Sequence, residues 1–143
     1  MLNQLQAPAL LAARVLMSVI FITAGWSKIG GYAGTAGYME AMGVPGALLP
    51  LVILTELGGG LAILLGFQTR LVSIALAGFC LLSGYLFHFV LVTGADAAAD
   101  MTNQIMFMKN VTIAGGFLAL FAAGAGAWSV DAVLGRKRVA LAA

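Results

Sequence analysis

Four apolar stretches, nearly every one carrying an ionisable side chain, decide what this chain can fold into. They are Ala9–Ile29, Gly46–Phe67, Leu71–Val92 and Ile105–Trp128. A helix rises about 1.5 Å per residue, so roughly 20 residues cross the roughly 30 Å of bilayer hydrocarbon. Inside these runs or at their edges sit Arg14, Lys28, Glu56, His88 and Lys109. A charge at the centre of a spanning helix costs about 2.5–3.5 kcal/mol on insertion scales, so such residues face one another or a wet cavity. The expected fold is all-α: a transmembrane four-helix bundle with a polar cluster inside it.

Composition points the same way. Of 143 residues, 62% are hydrophobic and 8% charged, and the mean hydropathy is +1.07. Soluble domains carry about 25% charged residues, and a core of this size cannot bury so much apolar surface unless lipid covers the outside. The length allows one domain, residues 1–143. The net charge of +2 is scattered except for Arg136, Lys137 and Arg138. That trio reads as a cytoplasmic anchor rather than a nucleic-acid patch. Cys80 is the only cysteine, which excludes an internal disulfide and a CxxC thiol-exchange centre. Any redox chemistry must therefore use a bound cofactor or a partner protein, and Cys80 itself reads as inert packing. The N-terminal run is expected to be a retained helix and not a cleaved signal. No basic residue precedes it, Arg14 interrupts it, and no A-x-A site follows.

The connections organise the bundle. Gly30–Gly43 is too long for a tight turn and too polar to span; its Tyr32, Tyr38, Met39 and Met42 suggest a short interfacial helix or cap. Gly66–Arg70 is a tight link, so the second and third helices must be antiparallel neighbours. Gly94–Gln104 is the other polar connection. Four spans put both termini on one side, together with Arg70 and Arg136–Arg138, with Arg14 in the nearby half of the first helix. The positive-inside rule then places both termini in the cytoplasm.

Helical spacing suggests which faces turn inward. Arg14, Ser18, Phe21, Gly25 and Lys28 form one stripe on the first helix, Gly78, Leu81, Tyr85 and His88 one on the third, and Lys109, Thr112, Gly116 and Leu120 one on the fourth. Counting from the ends puts Lys28, His88 and Lys109 near the outer boundary and Glu56 roughly 15 Å in from it. The expected cluster is Lys28, Glu56, His88, Lys109 and Asn110 in the outer half, with Tyr85 and Tyr38 nearby and Arg14 lower. Glu56 is the only acid at depth and so the expected counter-charge for one of these cations. Plainer readings stand beside each. Glu56 can be a structural ion-pair partner, and lysines near an interface default to solvated anchors. His88 alone defaults to a hydrogen-bonded end residue, and with no second histidine no metal site is expected. Gly58–Gly60 reads as close helix packing, with Gly59 and Gly60 structural. Met101, Met106 and Met108 read as gap-fillers and not copper ligands.

Taken in order, these pieces resemble the DoxX family of small bacterial membrane proteins over nearly the whole chain. The matching segments are Arg14 with the helix ending FITAGWSKIGG, then YMEAMGVP, TELGGGLAILLGFQTR with Glu56 and Arg70, the third helix ending in His88, MFMKNVTIAGGFLAL with Lys109 and Asn110, and the tail GAGAWSVD ending at Asp131. The resemblance implies a multi-pass protein of the bacterial cytoplasmic membrane. It also implies kinship with the DoxD-type subunit of thiosulfate:quinone oxidoreductases and with scaffolds of membrane oxidoreductase assemblies.

Three functions compete at this point. The first is a redox-system subunit that binds a quinone head in the outer-half cluster, with Glu56 and His88 moving protons and Lys28, Lys109, Asn110, Tyr85 and Arg14 binding; soluble or membrane redox proteins would be its partners, and whether the chain is itself an enzyme stays open. The second is a non-catalytic scaffold whose loops and basic tail recruit those partners. The third is a small-solute carrier, which ranks last because no helix is broken in its middle by proline. Assembly into a homo-oligomer would be needed to give it a pathway.

Overall fold

The computed structural model describes residues 2–135; the basic trio Arg136, Lys137 and Arg138 lies outside them. Five helices account for most of the chain: α1 (Leu2–Gly30), α2 (Tyr32–Ala41), α3 (Gly46–Leu65), α4 (Thr69–Phe87) and α5 (Ala97–Ala123). Among the described residues, α1, α3, α4 with the short turn after it, and α5 are long and apolar enough to cross a membrane. They run alternately up and down. One end of the bundle carries the start of α1, the α3–α4 link and the segment after α5; the far end carries α2 and the α4–α5 connection.

The boundaries have local causes. α5 starts eight residues before the expected Ile105 because Asp96 caps it, its carboxylate accepting from the amides of Ala98 and Ala99. Asp100 in the first turn accepts from the amides of Thr93 and Gly94 and so folds the connection back onto the helix. α5 ends at Ala123 and not Trp128, because Gly124 turns to φ +78. α4 stops at Phe87, where His88 leaves helical geometry at φ −134. The tight link is built on Gly66 (φ +67) and Gln68 (φ +48). Its strain at Gln68 is offset by Asp131, whose carboxylate accepts from Gln68 N at 2.8 Å and Thr69 N at 2.9 Å, capping α4 from the tail.

The core consists of Phe21, Ile63, Leu76, Ala77, Cys80, Ala114, Phe117 and Leu120, with the Phe21 and Phe117 rings edge-to-face at 5.3 Å. Cys80 is sealed within it at 1% exposure. α1 and α3 approach backbone to backbone. A Cβ on Gly25 would lie 2.7 Å from Leu57 N, and one on Gly60 would lie 3.1 Å from Ile22 N, as expected of small residues at helix contacts in lipid. Gly59 makes room for the Leu76 side chain of α4, whose Cδ2 would lie 3.0 Å from an added Cβ. Large apolar side chains such as Leu16, Val19, Leu54, Leu71, Leu82 and Ile105 are left exposed around the outside. In water such a belt would be a liability; facing acyl chains it is solvated.

Candidate functional site

The far half of the bundle holds one acid at depth, and a local distortion carries it. Between Leu54 and Gly58 the third helix widens to a single π-helical turn, and Glu56 sits in the middle of that turn. Such turns insert an extra residue into the helical register and recur at functional sites. Lys28, in the last turn of α1, reaches the carboxylate: Nζ lies 3.0 Å from Oε1, to which it donates, and 2.8 Å from Oε2. Glu56 is 7% exposed as a residue. The close α1–α3 approach at Gly25 and Gly60 is what brings the two within reach.

The pair opens onto a cavity of about 330 Å³. α1 contributes Ile20, Phe21, Ala24 and Lys28 to its wall, and α3 contributes Val52 and Glu56. Phe79, Ser83, Phe87 and His88 come from α4 and its end; Lys109, Asn110 and Ile113 come from α5. α2 closes the end with Thr35, Tyr38 and Met39, and the Tyr38 ring rests 5.6 Å from that of Phe87. Met39 is 3% exposed, so α2 is seated as a cap rather than lying loose on the surface. His88 Nδ1 is 3.3 Å from Asn103 Oδ1. Asn110 donates to the Met106 carbonyl at 2.9 Å and occupies the space left by Gly84, where a Cβ would fall 2.9 Å from its own. Lys109 is exposed, its Nζ 3.2 Å from Met106 Sδ. The arrangement offers ammonium donors, a carboxylate and an imidazole to one small apolar space, which suits a neutral ring bearing oxygen acceptors.

Five of the expected site residues therefore meet: Lys28, Glu56, His88, Lys109 and Asn110, with Tyr38 beside them. Two expected substrate contacts lie elsewhere. Tyr85 is 51% exposed and stacks on Phe89 at 5.5 Å. Each residue turns a helix by about 100°, so Tyr85 points away from the face shared by Phe79, Ser83 and Phe87. Arg14 is at the opposite end, 1% exposed, and its guanidinium is taken up by the Leu64 carbonyl at 3.2 Å and by the Trp128 carbonyl. It ties α1 to the end of α3 and to the tail. Arg70, at the same end, is exposed and lies over Gly124. Sequence reasoning missed Thr35, Phe79, Ser83 and Phe87 as wall residues and Asn103 as the partner of His88. The i, i+4, i+8 spacing of Phe79, Ser83 and Phe87, leading into His88, was the signal available.

The family model described as DoxX matches residues 9–89. Inner membrane protein YqjF of Escherichia coli (strain K12) is 55% identical over 136 residues, covering 95% of this chain and 99% of the relative. Inner membrane protein YphA of the same organism is 37% identical over 124 residues, covering 85% and 87%. CatD of Bacillus subtilis (strain 168), whose name describes it as a candidate oxidoreductase, is 33% identical over 67 residues, covering 47% and 50%. No solved structure matches the chain.

Proposed function

The chain belongs to the DoxX family, and from that premise we propose that it is an inner-membrane component of an oxidoreductase system that binds a quinone head beside Lys28 and Glu56. The observation that carries this is the lone Lys28–Glu56 pair, among the described residues, opening onto an apolar cavity sized for a ring. The likeness to CatD, over about half of each chain, leans the same way.

In this reading Lys28 donates to one quinone oxygen, and Glu56 and His88 hand over protons. Reduction to the quinol takes two electrons and two protons. The chain supplies a proton path; its single cysteine offers no dithiol, so a partner redox protein delivers both electrons. With Arg14 and Arg70 at the end where α1 begins and α5 finishes, we read that end as the cytoplasmic one and the cavity as lying in the outer half.

A second reading has one observation in its favour. The Lys28–Glu56 pair also bridges α1 and α3; in a scaffold, the buried pair only fixes helix order. Extraction of the protein purified in mild detergent separates the two. About one quinone per chain, lost in Glu56→Gln protein that still inserts, is the expected result. Quinone absent from the wild-type extract, with partner proteins still recovered, favours the scaffold.

A further inference from the structure

The cavity is closed above by α2 and below by the Phe21–Phe117 contact, where Met17 also rests against Gly116. On the opposite side stand α3 and α4, which pack on each other mainly through Gly59–Leu65; the wall residues they give the cavity, Val52, Glu56, Phe79, Ser83 and Phe87, are buried or half-buried. The remaining side lies between α1 and α5. These helices make few contacts, whereas α1 packs along α3 and α5 along α4. The α1–α5 contacts at Phe21–Phe117 and Met17–Gly116 belong to the floor. At that level and above it, wall residues of both helices also reach the outer surface: Ile20 is 40% exposed and Lys109 is exposed.

We propose that the cavity is entered sideways from the bilayer through this seam, by an amphiphile whose ring-sized head turns in toward Glu56 while its tail lies between Ile20 and Ile113. The proposal rests on the quinone reading and deepens it by fixing the ligand class as a prenyl-tailed ring. Size argues for it. A volume of about 330 Å³ is at the low end of the roughly 300–1,000 Å³ of small-molecule sites. It holds a head group and leaves a membrane-length tail outside. Chemistry argues for it too. The seam is apolar at depth, at Ile20, Ala24 and Ile113, and cationic at its rim, at Lys28 and Lys109. That gradient matches a molecule with a hydrocarbon tail and oxygen acceptors at one end.

The test uses the full chain in nanodiscs of zwitterionic lipid. The probe is a prenylated benzoquinone with a diazirine on the tail carbon next to the ring, and the competitor is the same ring without a tail. Photolabel is expected on Ile20, Ala24 or Ile113 and is expected to fall at least fivefold with excess competitor. Competed label on Thr35–Met39 instead would leave the head site standing and overturn the seam, since the tail would then leave at the water end. Label that the ring does not displace, spread over outward residues such as Leu16, Val19 and Leu118, is plain partition into lipid and overturns both the seam and the quinone reading. Displacement by added phospholipid and not by the ring assigns the site to a phospholipid, and also overturns the proposal.

Discussion

Lys28 reaches from α1 to Glu56 on α3, its Nζ 3.0 Å from one carboxylate oxygen and 2.8 Å from the other, with the side chains 25% and 10% exposed. Removing one partner of a pair this enclosed leaves the other charge in a poor solvent, which costs more than the pair contributes. Lys28→Met is therefore expected to destabilise the protein by about 2–3 kcal/mol. The double variant Lys28→Met with Glu56→Gln should recover most of that loss, because no charge is stranded. Thermal unfolding of wild type, the single variant and the double variant in one detergent checks it; a double variant no better than the single means the pair is not coupled.

Arg14 gives a second prediction, at the other end of the molecule. Its two donors satisfy the carbonyls of Leu64 and Trp128, both of which lie where helices or tail segments have run out of backbone partners. Arg14→Ala strands both, at roughly 1–3 kcal/mol each. A lysine presents one ammonium and not a planar fork, so Arg14→Lys should fall between Arg14→Ala and wild type in melting temperature. Quinone occupancy of whatever Arg14→Lys protein folds should match wild type, since Arg14 is not in the cavity wall. Selective loss of occupancy would return Arg14 to the site.

How far the sequence disclosed this arrangement differs from helix to helix. On α1 the stripe Arg14, Ser18, Phe21, Gly25 and Lys28 is turned inward as expected, because two charges fix its phase. On α4 the stripe fails: Gly78, Leu81 and Tyr85 are exposed, while Ser73, Leu76, Ala77, Cys80 and Gly84 are buried. α5 is mixed: Thr112 lies outside, while Leu120 joins Ala114 and Phe117 inside and Gly116 packs against Met17 as expected. Lipid is as apolar as a helix contact, so hydrophobicity carries no phase where charges are few. The cavity members Lys28, Glu56, His88, Lys109 and Asn110 were legible because each is expensive in hydrocarbon. The π turn at Glu56 was not, since it depends on how α3 packs against its neighbours.

Asp131 should behave as a helix cap supplied from outside the helix. Its carboxylate takes two amides at the start of α4, which also meets the positive end of the helix dipole. Asp131→Ala is expected to cost about 1–2 kcal/mol, and Asp131→Asn less, because the amide oxygen can still accept one bond. Hydrogen exchange at Gln68 and Thr69 should accelerate in the alanine variant, while exchange in α5 stays as in wild type. Unchanged protection at both amides would mean that the tail is not the cap.

The link between helix packing and the site can be tested at a glycine remote from any ligand contact. A Cβ on Gly25 would stand 2.7 Å from the backbone nitrogen of Leu57, the residue after Glu56. Backbone cannot swing aside as a side chain can, so Gly25→Ala must move α1 and α3 apart. Lys28 is one turn further along α1, and the separation falls directly across the Lys28–Glu56 contact. Overpacking of this kind costs about 1–3 kcal/mol, and here the loosened ion pair should add loss of quinone occupancy. Gly34→Ala and Gly115→Ala serve as controls, since a Cβ at either has nothing within 4 Å. Both should bind and melt like wild type, within about 0.5 kcal/mol. If Gly25→Ala also matches wild type in melting and in quinone extraction, then close approach of α1 to α3 is not what holds Lys28 against Glu56.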